Sequence, residues 1–303
     1  MSDHITVCVC TFRRTRLLTR LLRNLASQNT RDLFDISVVV VDNDPSGSAR
    51  KDVEQQRLRS GLDIVYDVEP VRSIPAARNR AIRLAKGDFI AIIDDDEFPS
   101  SHWLVALYEA VKNRKVDGAL GPVYPFFEEP PPIWLTKSKM LELPSLPTGS
   151  LLKWWQTRTG NVLLKKDIFS HQRIQFDEKF KTGGSDQDFF RRVIELGCRF
   201  VWVSEAPVYE TVGPDRWSKN YFLRRALVNG FNSHKYGRSR ANVIGVSSQT
   251  IKSALLLPAY AISTPFSACL GAHVLINCME KLYYHASRVV AVFGIELWKK
   301  RDF

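Results

Sequence analysis

Phe89-Ile90-Ala91-Ile92-Ile93-Asp94-Asp95-Asp96-Glu97 is the stretch that decides the fold, because five apolar residues run directly into four carboxylates. An uninterrupted apolar run is typical of a strand buried on both faces of a parallel sheet. The end of such a strand is where open α/β sheets place ligands. Mg²⁺ is held by one or two carboxylates together with substrate phosphates. The stretch therefore predicts either a metal-binding strand end or a solvated acidic turn, and the strand before it favours the metal.

The residues around this stretch alternate between strand and helix patterns. Apolar runs predict strands over 5–10, 36–41, 63–66 and 89–93, and helical spacing predicts helices over 17–25, 48–59 and 76–85. Nearly all-apolar strands alternating with helices indicate a mostly parallel sheet flanked by helices, which is a Rossmann-like α/β fold. We therefore predict that residues 1–120 form a nucleotide-binding half.

The C-terminal region has a different composition. Residues 254–279 contain no charged side chain and are long enough to cross the hydrocarbon of a bilayer, but Pro258 and Pro265 interrupt them. A helical hairpin dipping into one leaflet fits better than a clean span. Residues 282–298 then show helical apolar spacing and end in the basic residues 299–301, which suits anionic lipid. We predict that 231–303 is a helical, membrane-associated region; ordinary packing helices remain the alternative.

Charge and cysteine content limit the possible partners and compartment. The net charge of +11 and the pI near 9.5 indicate an anionic partner, whether nucleic acid, a phosphorylated substrate or a membrane surface. The five cysteines form no Cys-x-x-Cys pair, and no apolar signal region precedes the first strand. These features predict a reduced protein on the cytosolic side.

Several polar residues lie at predicted strand ends or helix starts. Asp42 ends the second strand, where its carboxylate suits either the imide N–H of a uracil base or a capping role in the turn. Arg78 and Asn79 could face the same pocket, and Thr11 follows the first strand. In Gly183-Gly184-Ser185-Asp186-Gln187-Asp188, Asp186 is either a helix cap worth about 1 kcal/mol or a general base.

Taken in order, these motifs resemble the family 2 glycosyltransferases of the GT-A fold, most closely the exopolysaccharide-assembly glucosyltransferases of the succinoglycan ExoM type. The resemblance covers about residues 5–230. It rests on Val9-Cys10-Thr11-Phe12-Arg13-Arg14, Val41-Asp42-Asn43-Asp44, Ile74-Pro75-Ala76-Ala77-Arg78-Asn79, Ile93-Asp94-Asp95-Asp96-Glu97, Gly121-Pro122-Val123, Thr159-Gly160-Asn161, Gly183-Gly184-Ser185-Asp186-Gln187-Asp188-Phe189-Phe190 and Val208-Tyr209-Glu210.

The resemblance implies a GT-A domain over 1–230, with 121–230 as its acceptor half. It implies inverting transfer of a hexose, with glucose expected, from a UDP-sugar to a polyprenyl-diphosphate-linked oligosaccharide in bacterial exopolysaccharide assembly. The implied location is the cytoplasmic face of the inner membrane, with peripheral or monotopic attachment.

The resemblance also implies roles for individual residues. Asp42 would hold uracil with Arg78 nearby, Asp94 would contact the ribose or the metal, and Asp96 would bind Mg²⁺ or Mn²⁺ on the diphosphate. Asp186 would be the base that activates the acceptor hydroxyl. The remaining candidates for nucleotide binding are Thr11, Arg13, Asn79 and Asp95.

Two departures from the family pattern affect this assignment. Ser185 stands where members usually carry Glu, which makes Asp188 an alternative base. Tyr209 stands where many members place a histidine ligand, and Glu210 could substitute for it. A basic band before the C-terminal apolar segment fits either a solvated helix face or the diphosphate of the lipid-linked acceptor: Arg216, Lys219, Arg224, Arg225, Lys235, Arg238 and Arg240.

Two other functions compete with glycosyl transfer. A nucleotidyltransferase acting on a sugar phosphate shares the strand-end carboxylates, but it normally has a glycine-rich loop after the first strand, and Thr11-Phe12-Arg13-Arg14 contains no glycine. A basic nucleic-acid-binding protein agrees with the net charge, yet the acidic clusters would repel phosphate. We therefore expect no nucleic-acid partner.

Overall fold

A computed structural model describes residues 2–171, 174–180, 183–238 and 248–297. Arg240 and residues 298–301, which the sequence assigns to basic or interfacial segments, lie outside the described residues. The strands are β1 Asp3–Thr11, β2 Phe34–Asp42, β3 Asp63–Val68, β4 Phe89–Ile92, β5 Glu97–Pro99, β6 Gly118–Leu120, β7 Val123–Phe126, β8 Val162–Lys165, β9 Phe200–Trp202 and β10 Val208–Thr211.

The helices fill the connections between these strands and most of the C-terminal region. They are α1 Thr15–Ala26, α2 Arg50–Ser60, α3 Ile74–Leu84, α4 Trp103–Arg114, α5 Ile133–Ser138, α6 Asp167–His171, α7 Ser185–Glu195, α8 Lys219–Arg238, α9 Ser248–Cys269 and α10 Ala272–Val290. Short 3-10 helices cover Trp154–Gln156, Pro214–Arg216 and Ala291–Phe293.

A seven-stranded sheet in the order β3-β2-β1-β4-β8-β6-β9 forms the framework. Its first four strands are parallel, whereas β8 runs antiparallel to both β4 and β6. The predicted mostly parallel α/β fold is therefore confirmed. The strand order reverses between β1 and β4, and this switch point is where doubly wound sheets open a crevice for ligands.

The two faces of the sheet take alternate residues of the strands. On β1, Ile5, Val7 and Val9 pack with the leucines of α1 and with the apolar face of α4. Cys8 points to the other face and joins the core below α3 and α7. Because both faces are covered by helices, the strands must be apolar throughout.

A smaller sheet in the order β5-β10-β7 begins directly after the acidic run. Glu97 pairs in register with Glu210, and Phe98 with Tyr209. On one face, Phe98 stacks on Tyr209 with ring centroids 5.5 Å apart, and the Arg20 guanidinium lies 3.5 Å from the centroid of Phe98. Since side chains alternate along a strand, Glu97 and Glu210 point to the opposite face.

The chain divides into two compact units. The first comprises residues 1–126, 143–181 and 185–211 and contains both sheets. The second comprises 127–142, 182–184 and 212–303. Helix α8 runs continuously through residue 230, where the sequence places a domain boundary. The assignment of donor and acceptor halves stays a prediction.

In the second unit, α10 packs against both α8 and α9. Helices α9 and α10 stand where the hairpin is predicted, and α10, which ends at Val290, joins its second arm to the first part of the separately predicted helix over 282–298. Insertion into one leaflet stays a prediction. Of the helices in the described ranges, none combines the length and apolarity needed to cross a membrane.

Candidate active site

The carboxyl ends of β1, β2 and β4 meet at one edge of the large sheet because these strands are parallel and adjacent. Thr11 ends β1, Asp42 ends β2, and the acidic run follows β4. The Thr11 hydroxyl donates to Asp95 Oδ2 at 2.8 Å. Thr11 thus joins the acidic run to the first strand through its side chain, a contact that the sequence did not indicate.

Arg14 supplies positive charge to the acidic run. Its Nη1 atom lies 3.1 Å from Asp95 Oδ1 and 2.8 Å from Asp96 Oδ2. Both carboxylates are buried, whereas Arg14 remains 43% exposed. The sequence motifs gave Arg14 no role. Its position just after the end of β1 could have indicated that it lies near the acidic run.

The carboxyl groups of the run differ in their tendency to ionise. Burial raises the pKa of Asp95 to about 6, and Arg14 offsets part of that rise. Burial also raises the pKa of Glu97 well above its usual range, with further contributions from Asp94, Asp96 and Glu210. The Glu97 carboxyl accepts the backbone N–H of Asp94 at 3.0 Å. Several carboxyl groups therefore share a space that favours added positive charge.

Arg78 connects this run to the second acidic group. It lies on α3, whose N-terminus is capped by Ser73. Its Nη2 atom is 3.3 Å from Asp94 Oδ1, and its side chain is only 11% exposed. Burial opposes the charge of Arg78, but Asp94 and Asp186 outweigh it and raise the pKa of the guanidinium.

Asp186 lies in the first turn of α7 and reaches the same site electrostatically. The pKa of Asp94 is raised first by loss of surrounding water and then, against the effect of Arg78, by the charges of Asp96 and Asp186. The two acidic groups that are separated by about 90 residues in sequence thus act on one another around Arg78.

Both carboxylate oxygens of Asp188, the alternative base, pair with arginines of its own helix. Its Oδ1 atom pairs with Arg191 at 3.1 Å and its Oδ2 atom with Arg192 at 2.8 Å. The carboxylate is 6% exposed. This geometry assigns Asp188 a structural role and leaves Asp186 as the candidate base.

Three predicted nucleotide contacts are instead occupied within the protein. The buried Asp42 carboxylate accepts from Asp44 N, Ala49 N, Ser48 Oγ and the Tyr66 hydroxyl, which is the capping role. Asn79 exchanges two hydrogen bonds with the Phe176 backbone, at 2.9 and 2.8 Å. Arg13 pairs with Asp44 at 2.6 Å and stays 66% exposed.

These internal hydrogen bonds limit what each of the three residues could contribute to nucleotide binding. Both amide atoms of the buried Asn79 bind the Phe176 backbone, which favours a role in ordering the segment before α7, and its contact with a nucleotide stays a prediction. The uracil contact of Asp42 stays a prediction, as does any contact of Arg13, whose exposed side chain is only partly used.

Comparison with known proteins agrees with this geometry. The sequence pattern of the family described as Glycosyl transferase family 2 matches residues 6–175. The succinoglycan biosynthesis protein ExoM of Rhizobium meliloti (strain 1021) is 34% identical over 234 residues, covering 75% of this chain and 73% of ExoM. The chain belongs to glycosyltransferase family 2.

Solved structures show the same fold. TarS 1–349 of S. aureus, in complex with UDP-GlcNAc, aligns with a TM-score of 0.56 at 18% identity, over 97% of this chain and 92% of that one. The mannosyltransferase PcManGT of Pyrobaculum calidifontis, in complex with GDP-Man and Mn²⁺, aligns with a TM-score of 0.64 at 17% identity, over 99% and 89%. The predicted GT-A fold is confirmed, and the nucleotidyltransferase alternative is not favoured.

The two residues of this glycosyltransferase that depart from the family pattern, Ser185 and Tyr209, lie on α7 and on the small sheet. Ser185 is buried as the first residue of α7. Tyr209 belongs to the aromatic face of the small sheet, where it stacks on Phe98. Glu210 points to the other face and acts on Glu97 electrostatically. Glu210, rather than Tyr209, therefore lies on the side of the acidic run.

The carboxylates of the acidic run could hold a divalent cation only if a bound ligand supplied further oxygen atoms. Within the described ranges, no three His, Cys, Asp or Glu side chains are grouped to hold a metal ion. Mg²⁺ and Mn²⁺ sites need only one or two carboxylates when phosphates supply other oxygens. The Asp94 side chain is 46% exposed and close enough to Asp96 for their charges to interact. A two-carboxylate site completed by a diphosphate agrees with these residues.

Proposed function

We propose that this glycosyltransferase moves a hexose, with glucose expected, from a UDP-sugar to a polyprenyl-diphosphate-linked oligosaccharide in exopolysaccharide assembly. The similarity to the succinoglycan protein ExoM supports the pathway. The likeness to TarS, solved with UDP-GlcNAc, supports a UDP-sugar donor. The observation that carries the proposal is that Asp94 and Asp186 each act electrostatically on Arg78 and that Asp186 acts on Asp94, which supports a shared site for donor binding and proton transfer.

The chemistry assigned to Asp186 is proton transfer. As the acceptor hydroxyl oxygen forms its bond to the anomeric carbon, its proton passes to the Asp186 carboxylate. The bond between the anomeric carbon and the UDP oxygen breaks on the opposite side, and UDP leaves with the electron pair. A single displacement inverts the configuration of the sugar, so an α-linked donor gives a β-linked product.

Charge on the departing diphosphate must be stabilised where it develops. Asp94 and Asp96 would hold Mg²⁺ or Mn²⁺, which neutralises that charge when bound. Arg78 and Arg14 contribute fixed positive charge beside the same carboxylates. Thr11 and Asp95 orient the run through their mutual hydrogen bond.

Aromatic residues near α7 support the proposal that a sugar acceptor binds there. The 3-10 helix Trp154–Gln156 packs against α7, and Trp155 is 56% exposed. An exposed indole suits stacking on a sugar ring. We place the reaction at the cytoplasmic face of the inner membrane, because a lipid-linked acceptor is confined to a membrane surface.

The decisive test replaces the base. We expect Asp186→Asn to lower the transfer rate by about 10²–10⁴-fold, the usual range for loss of a general base, while UDP still binds. Transfer is measured with radiolabelled UDP-glucose and membrane acceptor, and UDP binding by calorimetry. Asp52→Asn, which changes a first-turn carboxylate of α2, is the matched control. Transfer within tenfold of the unmodified enzyme would exclude Asp186 as the base.

A further inference from the structure

Helix α9, the first arm of the α9–α10 hairpin, buries hydroxyl-bearing rather than large apolar side chains. The buried residues of α9 are Thr250, Ser253 and Ser267, and no large apolar side chain is among them. The Ser253 hydroxyl lies 3.0 Å from His285 Nδ1 of α10. Protein cores in water are normally apolar, whereas helices in lipid associate through small and hydroxyl-bearing residues.

The outer face of α9 is apolar along the whole helix. Five large side chains, 54–75% exposed, recur at intervals of four, seven, four and four residues: Ile251, Leu255, Ile262, Phe266 and Leu270. At 3.6 residues per turn these intervals place them on one stripe. Pro258 and Pro265 are exposed on the same side, and Lys252 is the only charged residue of α9.

Three hydroxyl groups in the second half of α9 donate to backbone carbonyls of the same helix. Ser263 donates to Ala259 O at 2.6 Å although its side chain is exposed, and Thr264 donates to Tyr260 O at 2.7 Å. Ser267 donates to Thr264 O at 2.6 Å. Such internal pairing is required where no water is available to accept these bonds.

The charge around the hairpin complements anionic lipid. Residues 219–303 contain 12 Lys and Arg but only three Asp and Glu. On α8, which belongs to the same compact unit and packs on α10, Lys219, Arg224 and Arg225 are exposed. Basic residues beside an embedded apolar face each strengthen attachment to an anionic leaflet.

We infer that the outer face of α9 is embedded in one leaflet of an anionic membrane. A second copy of the chain is the competing occupant, since it would also cover the stripe. A twofold self-interface would bring two copies of a strongly basic region together, which opposes association, whereas anionic headgroups attract that region. The inference does not depend on which sugar is transferred, so the flotation itself needs neither donor nor acceptor.

The test is flotation of the full-length protein with vesicles of phosphatidylcholine containing 30% phosphatidylglycerol, and with pure phosphatidylcholine. We expect the protein to float with the anionic vesicles, and Leu255→Lys/Phe266→Lys to lower the bound fraction at least tenfold. Adding lysines preserves the attraction to anionic lipid, so this loss would report on the apolar contact. Leu58→Lys, which changes a 79% exposed leucine of α2, is the matched control and should float normally.

UDP binding by calorimetry separates misfolding from loss of membrane contact, because a folded double variant keeps it. If that variant fails to bind UDP, Ile262→Ser/Leu270→Ser replaces it with a milder change on the same stripe. The inference is overturned if the unmodified protein does not float, or if a folded stripe variant floats as well as Leu58→Lys. A concentration-dependent dimer that these substitutions dissociate, without flotation, would assign the stripe to a second copy.

Discussion

Arg14 and Arg78 divide the carboxylates of the site between them. Arg14 contacts Asp95 and Asp96, and Arg78 contacts Asp94 while lying in the field of Asp186. A buried carboxylate costs free energy unless it is paired, so each arginine offsets part of that cost for the carboxylates that it contacts. The same guanidinium groups suit phosphate oxygens, which links folding of the site to donor binding.

Asp95 gives this site a pH dependence that can be measured as stability. Its pKa is raised to about 6, first by burial, against about 3.9 in an unfolded chain. The folded state therefore holds the proton more tightly, so the contribution is full below pH 4 and is lost as the pH rises through 6. A rise of two units in the pKa of Asp95 corresponds to about 3 kcal/mol in the free energy of unfolding.

We therefore expect Asp95→Asn, which cannot ionise, to gain about 2 kcal/mol of stability relative to the unmodified protein as the pH rises from 4.5 to 7.5. Urea unfolding in chelator measures this difference. Asp44→Asn is the control: Arg13 lowers the pKa of Asp44 to about 2, so that carboxyl does not titrate in this range. A difference for Asp95→Asn that is constant with pH would contradict the assignment.

The site residues that the sequence pattern singled out lie where the fold places strand ends and helix starts. Asp94, Asp96 and Asp186 could be singled out because apolar runs and glycines mark those positions. Asp42 and Asn79 could not be resolved in the same way, since Tyr66 and the Phe176 backbone, which occupy them, are 24 and 97 residues away in sequence. Only folding shows which polar groups are already paired.

Helix α7 positions Asp186, and its first turn depends on the glycines before it. Gly183 has φ +110°, a conformation that strains any residue with a Cβ. We expect Gly183→Ala to cost about 1–3 kcal/mol of stability and to lower transfer at least tenfold, because the start of α7 shifts. Transfer assays and urea unfolding measure the two effects.

Gly197, just after the same helix, is the matched control for that change. Its φ is +97° and a Cβ there would meet nothing within 4 Å, so Gly197→Ala should add similar strain without moving Asp186. We expect comparable destabilisation with nearly unchanged transfer. Equal losses of transfer in both variants would show that strain alone, and not the placement of Asp186, explains the effect.

The long buried strands and the helices between them were predictable from local pattern, whereas β5 and β10 were not. β5 and β10 contain three and four residues, and they form because distant segments pair with them. The sequence also gave no sign that β8 inserts antiparallel between β4 and β6, since pairing of that kind is not encoded locally. Helix α4 was missed although its apolar residues are all buried.

Most of the net positive charge of the molecule lies in its C-terminal region, so the net charge is a poor guide to the partner of the N-terminal part. Residues 219–303 carry 12 basic and three acidic side chains, so residues 1–218 are close to neutral with 31 Lys and Arg against 29 Asp and Glu. The overall charge therefore reflects the C-terminal helices and says little about the nucleotide site. Local pairs such as Arg78 with Asp94 determine the electrostatics of that site.

The two-carboxylate metal site leads to a prediction about the stability of the whole protein. Asp94 and Asp96 alone offer too few ligands, and a diphosphate would complete the set. We expect Mn²⁺ alone to stabilise the fold little, and Mn²⁺ with UDP to stabilise it by about 2.7 kcal/mol at a hundredfold excess over Kd. Thermal unfolding with each ligand, both and neither measures this synergy.

Asp96→Asn should remove most of that synergy while leaving the small effect of UDP alone, because the amide is a poor ligand for a hard cation and the nucleotide contacts elsewhere persist. Glu109→Gln, an exposed change on α4, should retain the full synergy. Stabilisation by Mn²⁺ without UDP would mean that the protein holds the cation by itself. Synergy retained in Asp96→Asn would place the cation on other residues, and Asp94→Asn would then distinguish the remaining strand-end carboxylate.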